Sequence, residues 1–201
     1  MTKYLTCAIA AAGILAACST SAEQKAQPAS PPPASSAYPN SDAKLLADFK
    51  AKVDDYVKLR NKLDNTTPPL KKTADPAAIT DAEKTLAAKI RAERPQAKKG
   101  DFFTPATAAL FKRLMSPAVK GPEGRENKAA VADDVPENVP FKVLGEYPKQ
   151  QTVSTVPPDI LMSLPTIQEN AQVQYRFVGK HLVLYDARAN LIMDYIFNAI
   201  P

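Results

Sequence analysis

The chain has 201 residues, with 26 Lys and Arg against 21 Asp and Glu, for a net charge of +5. That excess is small and its bases are interspersed, unlike the clustered basic face that a nucleic-acid binder normally shows; Lys71-Lys72 and Lys98-Lys99 are dibasic pairs read as solvated surface, with loose attraction to anionic lipid or lipopolysaccharide as the alternative. A single histidine and two cysteines leave little for a Cys/His zinc site, and six glycines with no Gly-rich loop speak against nucleotide chemistry.

From the start, Lys3 supplies a thin positive region and Leu5 to Leu15 an apolar run. The run has the length of a secretory core and is shorter than the roughly 20 residues a bilayer span requires. Ala16 and Ala17 then precede Cys18. Leu15-Ala16-Ala17-Cys18 resembles the bacterial lipobox. The resemblance implies diacylglycerol transfer to the Cys18 thiol, cleavage before Cys18 and removal of residues 1–17 as a signal peptide. It also implies acylation of the new amino group, and two or more acyl chains anchor stably. Ser19 follows the cysteine. In related lipoproteins Ser at this place permits sorting to the outer membrane. Cys7 would leave with the leader and Cys18 would be alkylated, so thiol and disulfide chemistry are expected to be absent from residues 18–201.

Residues 19–41 are rich in Ala, Ser and Gln and include Pro28, Pro31, Pro32, Pro33 and Pro39. Such a segment buries too little apolar area to offset its ordering entropy. Residues 18–41 therefore read as a lipidated cysteine with a disordered, partly polyproline II tether, reaching on average roughly 30 Å. Residues 42–201 read as one α+β domain, helical over 42–134 and extended or β over 135–201.

Ser41 is a suitable N-cap with Asp42 in the first turn. Leu45, Leu46, Phe49, Val53, Tyr56, Leu59 and Leu63 then recur at helical spacing, which predicts an amphipathic helix to Asp64 or Asn65. Residues 66–79 read as a loop. Thr80-Asp81-Ala82-Glu83 fits a capping box and predicts a second helix carrying Leu86 and Ile90, ending before Pro95. Thr104-Pro105 opens a third, a cap followed by Pro at the first helical position. Leu110, Phe111, Leu114 and Met115 form its apolar face, and Pro117 is expected to end it. Residues 123–134 predict a fourth, more polar helix.

Val135 to Pro140 reads as extended, and Phe141 to Tyr147 as a strand closed by Pro148. Pro157 to Pro165 predicts a single helical turn in which Ile160, Leu161 and Leu164 plug one end of the core. From Gln172 the pattern switches to period two. Val173, Tyr175 and Phe177 alternate with polar residues. Gly179-Lys180 is a two-residue turn with Gly supplying positive φ, His181 to Asp186 returns, Ala187 to Asn190 turns again, and Leu191 to Phe197 is a third strand. Three antiparallel strands need a cover, which the upstream helices provide. Helices first and strands later define an α+β layer fold.

Tyr175-Arg176-Phe177-Val178-Gly179, Leu182-Val183-Leu184 with Asp186, and Ala189-Asn190-Leu191-Ile192 with Asp194 resemble the ending of a group of uncharacterised bacterial secreted proteins. The Pro157 to Pro165 passage is similar to that group as well. The resemblance implies export and a shared folding unit, and carries no activity. The closing hairpin is also similar, more faintly, to that of periplasmic metal-stress proteins of the nickel/cobalt-homeostasis type, although this chain has no Trp and one His.

Four residues near the strand ends form a candidate polar cluster: Arg176, His181, Asp186 and Asp194. The carboxylates either bond turn amides or pair for hydrolysis or a hard cation. Arg176 either pairs with one of them or reads an anion. No nucleophile elbow or H-E-x-x-H is present. These features predict a non-enzymatic interaction, accessory or structural module. Its membrane contact is through the N-terminal lipid, its partner an envelope protein and its place the periplasmic face of the outer membrane. No cofactor, metal or nucleic acid is expected. The alternatives are a periplasmic hydrolase using Asp186, Asp194 and His181, and a ligand or metal-stress binder.

Overall fold

A computed structural model describes residues 38–66, 75–132, 140–147, 156–167 and 172–200, all within the unit Ser35–Pro201. Residues 1–37, which hold the expected signal peptide, Cys18 and most of the expected tether, lie outside the described residues. The fold is α+β. Helices α1 (Tyr38–Asn65), α2 (Pro76–Glu93), α3 (Pro105–Lys120), α4 (Gly124–Ala132) and α5 (Pro158–Met162) precede strands β1 (Val173–Val178), β2 (His181–Asp186) and β3 (Leu191–Ile196). The sheet is an antiparallel meander of order β1-β2-β3. Among the described residues, no helix is long and apolar enough to cross a membrane.

The helix boundaries correct several expectations. α1 begins at Tyr38, so Ser41 lies inside it rather than capping it. Pro39 sits in the first turn, where its missing N–H has no intrahelical partner to lose. α2 begins at Pro76, not Thr80: Asp75 is its N-cap, and its carboxylate accepts the Ala77 N–H at 2.9 Å. This is the cap-then-proline start that also opens α3, where the Thr104 hydroxyl accepts the Thr107 N–H. Pro117 does not end α3. The helix runs to Lys120, which buries Val119, and the Gly121 N–H closes on the Pro117 carbonyl at 2.9 Å. At the corner into α4, a Cβ on Gly124 would fall 2.4 Å from the Val119 carbonyl oxygen, so glycine alone fits. Asn127 fastens the corner by donating to the Ala118 carbonyl at 2.8 Å.

The main core lies between the helices and one sheet face. Phe49, Val53 and Tyr56 of α1, Leu86 and Ile90 of α2, and Phe111 and Met115 of α3 pack on Val173, Phe177, Leu182, Leu184 and Met193. Phe102 and Phe103, from the loop between α2 and α3, join them. Phe103 stacks on Phe49 at 5.5 Å, and both meet Phe111 edge-on at 5.1 Å. Of the α5 trio, Ile160 and Leu164 are buried as expected, but Leu161 is 46 % and Met162 78 % exposed.

The sheet is covered on its second face too, which explains why β3 is apolar on both sides. Val178, Val183, Tyr185 and Ile192 there bury Phe141 and Tyr147. Residues 141–147 do not make the expected strand. Leu144 adopts φ 58° and breaks it into a turn, leaving a single bridge, Glu146 to Leu191. The segment is pinned to β3 by Leu144 N–H to the Ile192 carbonyl and Ile192 N–H to the Gly145 carbonyl, at 2.8 and 2.9 Å. The Arg91 guanidinium donates to the Leu144 carbonyl at 2.9 Å, tying it to α2. The Gly179-Lys180 turn forms as predicted, with Gly179 at φ 52°.

Candidate functional site

The four polar residues are delivered by the sheet, whose pleat sets Arg176 and His181 on one face and Asp186 and Asp194 on the other. Side chains alternate between faces. Asp186 and Asp194 turn toward the helical layer, whereas Arg176, opposite Val183 in the register, shares the other face with Tyr185. A shared catalytic centre would require all of them to reach one cleft.

Asp186 ends β2 and is fully buried. One carboxylate oxygen accepts the Arg188 and Ala189 N–H groups at 2.9 and 3.2 Å. The other accepts the Tyr56 hydroxyl at 2.7 Å and lies 3.9 Å from Arg60 Nε. It therefore shapes the β2–β3 turn and clamps it to α1. Arg188 in that turn adds a two-pronged ion pair to Asp64 at the end of α1, both contacts at 2.8 Å. Burial, with the Asp186 charge beside it, holds the Tyr56 hydroxyl pKa well above the usual phenol value.

Asp194 is also fully buried. A bulge places it there: Leu184 pairs with Asp194 and Tyr185 with Ile192, so Met193 has no opposite number. Met193 and Asp194 can then both serve the helical side. The Asp194 carboxylate accepts the N–H groups of Gly100 at 3.1 Å, Phe102 at 3.0 Å, Phe103 at 2.8 Å and Tyr195 at 2.8 Å. It organises the whole α2–α3 loop, and Gly100 reaches it through a φ of 91°. Asp101 in the same loop accepts the Lys98 N–H and Arg94.

Arg176 does not pair with either aspartate. Its guanidinium lies 3.8 Å from the ring centre of Tyr185 and 4.7 Å from that of Tyr147, a cation–π contact with a tilted ring pair on the second face. His181, beside the Gly179-Lys180 turn, accepts the Asn198 N–H on Nδ1 at 3.0 Å. That bond requires the neutral ring with its proton on Nε2, and burial lowers its pKa in the same sense. The groups sequence reasoning missed are the Tyr56 hydroxyl, the Tyr147 ring and the backbone amides of Gly100, Phe102 and Phe103, whose partners lie far away in the chain and leave no local signal.

Both carboxylates spend their acceptor capacity on structural donors inside the core, and water or substrate reaches neither without opening it. Among the described residues, no group of three His, Cys, Asp or Glu is placed to hold a metal ion. Several surface depressions remain among the described residues. An apolar groove of about 180 Å³ runs between α1 (Leu46, Phe49, Lys50, Val53) and Pro165 to Ile167. A more polar hollow of about 300 Å³ lies beside Arg94, Tyr56 and Phe102, where Arg94 is ion-paired to Asp101 at 3.2 Å and its guanidinium carbon lies 5.1 Å from the centre of the Phe102 ring. The chain matches no family model, no curated protein and no solved structure.

Proposed function

We propose that this chain is a membrane-anchored envelope lipoprotein whose folded part is a non-enzymatic interaction module, tethered through Cys18 to the periplasmic face of the outer membrane. The observation that carries the non-enzymatic half is the complete burial of Asp186 and Asp194, each bonded to backbone donors that fix loops. A hydrolytic carboxylate must present a free oxygen to substrate and water. The apolar groove on α1 supports the interaction half, since it offers Leu46 and Val53 beside the exposed rim residue Lys50. The anchor rests on Leu15-Ala16-Ala17-Cys18.

The test is made in cells with a photoreactive residue at Lys50 in the otherwise unaltered chain, alongside the Cys18→Ala variant. A defined envelope-protein adduct is expected from Lys50 and none from the solvent-facing Lys58. Cys18→Ala is expected to move the protein from the membrane to the soluble fraction. Equal labelling at both lysines counts against the module, and a Cys18→Ala protein that stays with the membrane counts against the anchor.

A further inference from the structure

One end of the sheet carries a rigid aromatic cluster that the core does not absorb. Phe197 is 41 % exposed, yet its ring is held against Tyr195 at 4.9 Å, His181 at 5.0 Å and Phe141 at 5.8 Å. Its backbone is fixed as well. Asn198 takes φ 46° and donates to His181, while the Ala199 and Ile200 N–H groups both donate to the Lys180 carbonyl. The Lys99 ammonium sits 4.5 Å from the Phe197 ring centre and 5.0 Å from that of Tyr195. Three segments around the cluster bring exposed lysines: Lys98 and Lys99 from the α2–α3 loop, Lys142 beside Phe141, and Lys180 beside His181.

We propose that this tip is a membrane-contact patch that seats on anionic phospholipid headgroups, with Phe197 entering the interface; the proposal deepens the anchored-lipoprotein reading and rests on it. Aromatic rings with a polar edge favour the headgroup level of a bilayer. Lysines bury their stems beside such rings while their ammonium groups stay with phosphate. Each lysine near an anionic surface contributes about a fivefold gain in affinity. The ring stack means that Phe197 is already ordered before contact, so little entropy is lost on binding. A lipid-anchored tether of this composition keeps the domain within a few tens of ångströms of the bilayer. Weak contact then becomes frequent and sets which face the domain turns outward.

The chain contains no tryptophan, so Phe197→Trp makes a sole reporter at the tip, and Met162→Trp one on the exposed α5 surface. Each full-length variant, checked for native helical circular dichroism, is mixed with vesicles of equal parts phosphatidylglycerol and phosphatidylcholine, or of phosphatidylcholine alone. Indole emission from the Phe197→Trp variant should shift to the blue and be quenched by brominated acyl chains in the anionic vesicles. The effect should be weaker in phosphatidylcholine, weaker again in the Lys99→Glu/Lys180→Glu background, and absent from the Met162→Trp variant. Sedimentation with vesicles after a high-salt wash reports the anchor separately. Solvent-like emission from the Phe197→Trp variant in anionic vesicles overturns the patch whether or not the chain sediments. So does equal quenching at both positions, or a shift produced only by added envelope protein without lipid.

Discussion

Asp194 illustrates how one side chain can stand in for a piece of secondary structure. The loop from Lys98 to Phe103 forms no ladder, and the amides of Gly100, Phe102 and Phe103 would otherwise be left unpaired. Asp194 receives those of Gly100, Phe102 and Phe103, which lets Phe102 and Phe103 enter the core. Removing the carboxylate strands several buried donors at once, each costing about 1–3 kcal/mol. Asp194→Ala should therefore lose about 3 kcal/mol or more, read as a lower urea midpoint, with the amides of Gly100, Phe102 and Phe103 losing hydrogen-exchange protection first. A midpoint within experimental scatter of the parent would show that the loop is held by its aromatic rings instead. The residue type was legible in the sequence, and so was its capacity to bond amides. Its partners were not, because they lie on a loop more than ninety positions earlier and backbone donors carry no residue identity.

At the scale of elements, the helices were legible as periods and less so as boundaries. Residues 45–63 repeat at helical spacing, and Leu46, Phe49, Val53, Tyr56 and Leu63 of that stripe pack in or against the core, whereas Leu45 and Leu59 stay half-exposed beside it. The starts of α2 and α3 obey one rule, a capping side chain followed by proline, but Thr80-Asp81-Ala82-Glu83 offers a competing cap within α2. Asp75 wins because a helix beginning at Pro76 gains a turn of backbone bonds at no cost in lost N–H groups. Asp75→Ala should cost about 1 kcal/mol, whereas Thr80→Ala should stay within about 0.5 kcal/mol. The reverse order in thermal or urea denaturation would return the cap to Thr80. Segment 141–147 failed as a strand for a different reason. Its apolar residues were recognised, but the left-handed turn at Leu144 is imposed by the edge of β3 and is not favoured by leucine itself.

Across the whole molecule, two packed layers on one small sheet make the pH response a property of the assembled fold. Burial lowers the His181 pKa, so below its unfolded value of about 6.5 the unfolded chain takes up a proton that the folded chain resists. The contribution is intact above that value and is lost as pH falls toward the folded pKa. Burial raises the pKa of Tyr56 and Tyr175. Their contribution is intact below about 10 and is lost as pH rises beyond it, when the unfolded chain ionises first. Urea midpoints followed against pH should form a plateau between these limits. His181→Gln, whose amide oxygen can still accept the Asn198 N–H, should flatten the acid limb and leave the alkaline one. An unchanged acid limb would show that His181 does not set it.

The sequence alone determined the α+β class, the antiparallel meander with its Gly179-Lys180 turn, and the stripes that pack the helices, because period, turn chemistry and burial pattern are local properties of the chain. It also carried Leu15-Ala16-Ala17-Cys18, the resemblance on which the anchor is proposed. Only the tertiary structure decided what Arg176, His181, Asp186 and Asp194 do. Their spacing along the strands placed them close together, but the pleat, the bulge at Met193 and the distant donors that meet each carboxylate sent them to separate surroundings. A polar side chain takes its role from its partners, and those are chosen by the packing of segments far apart in the chain.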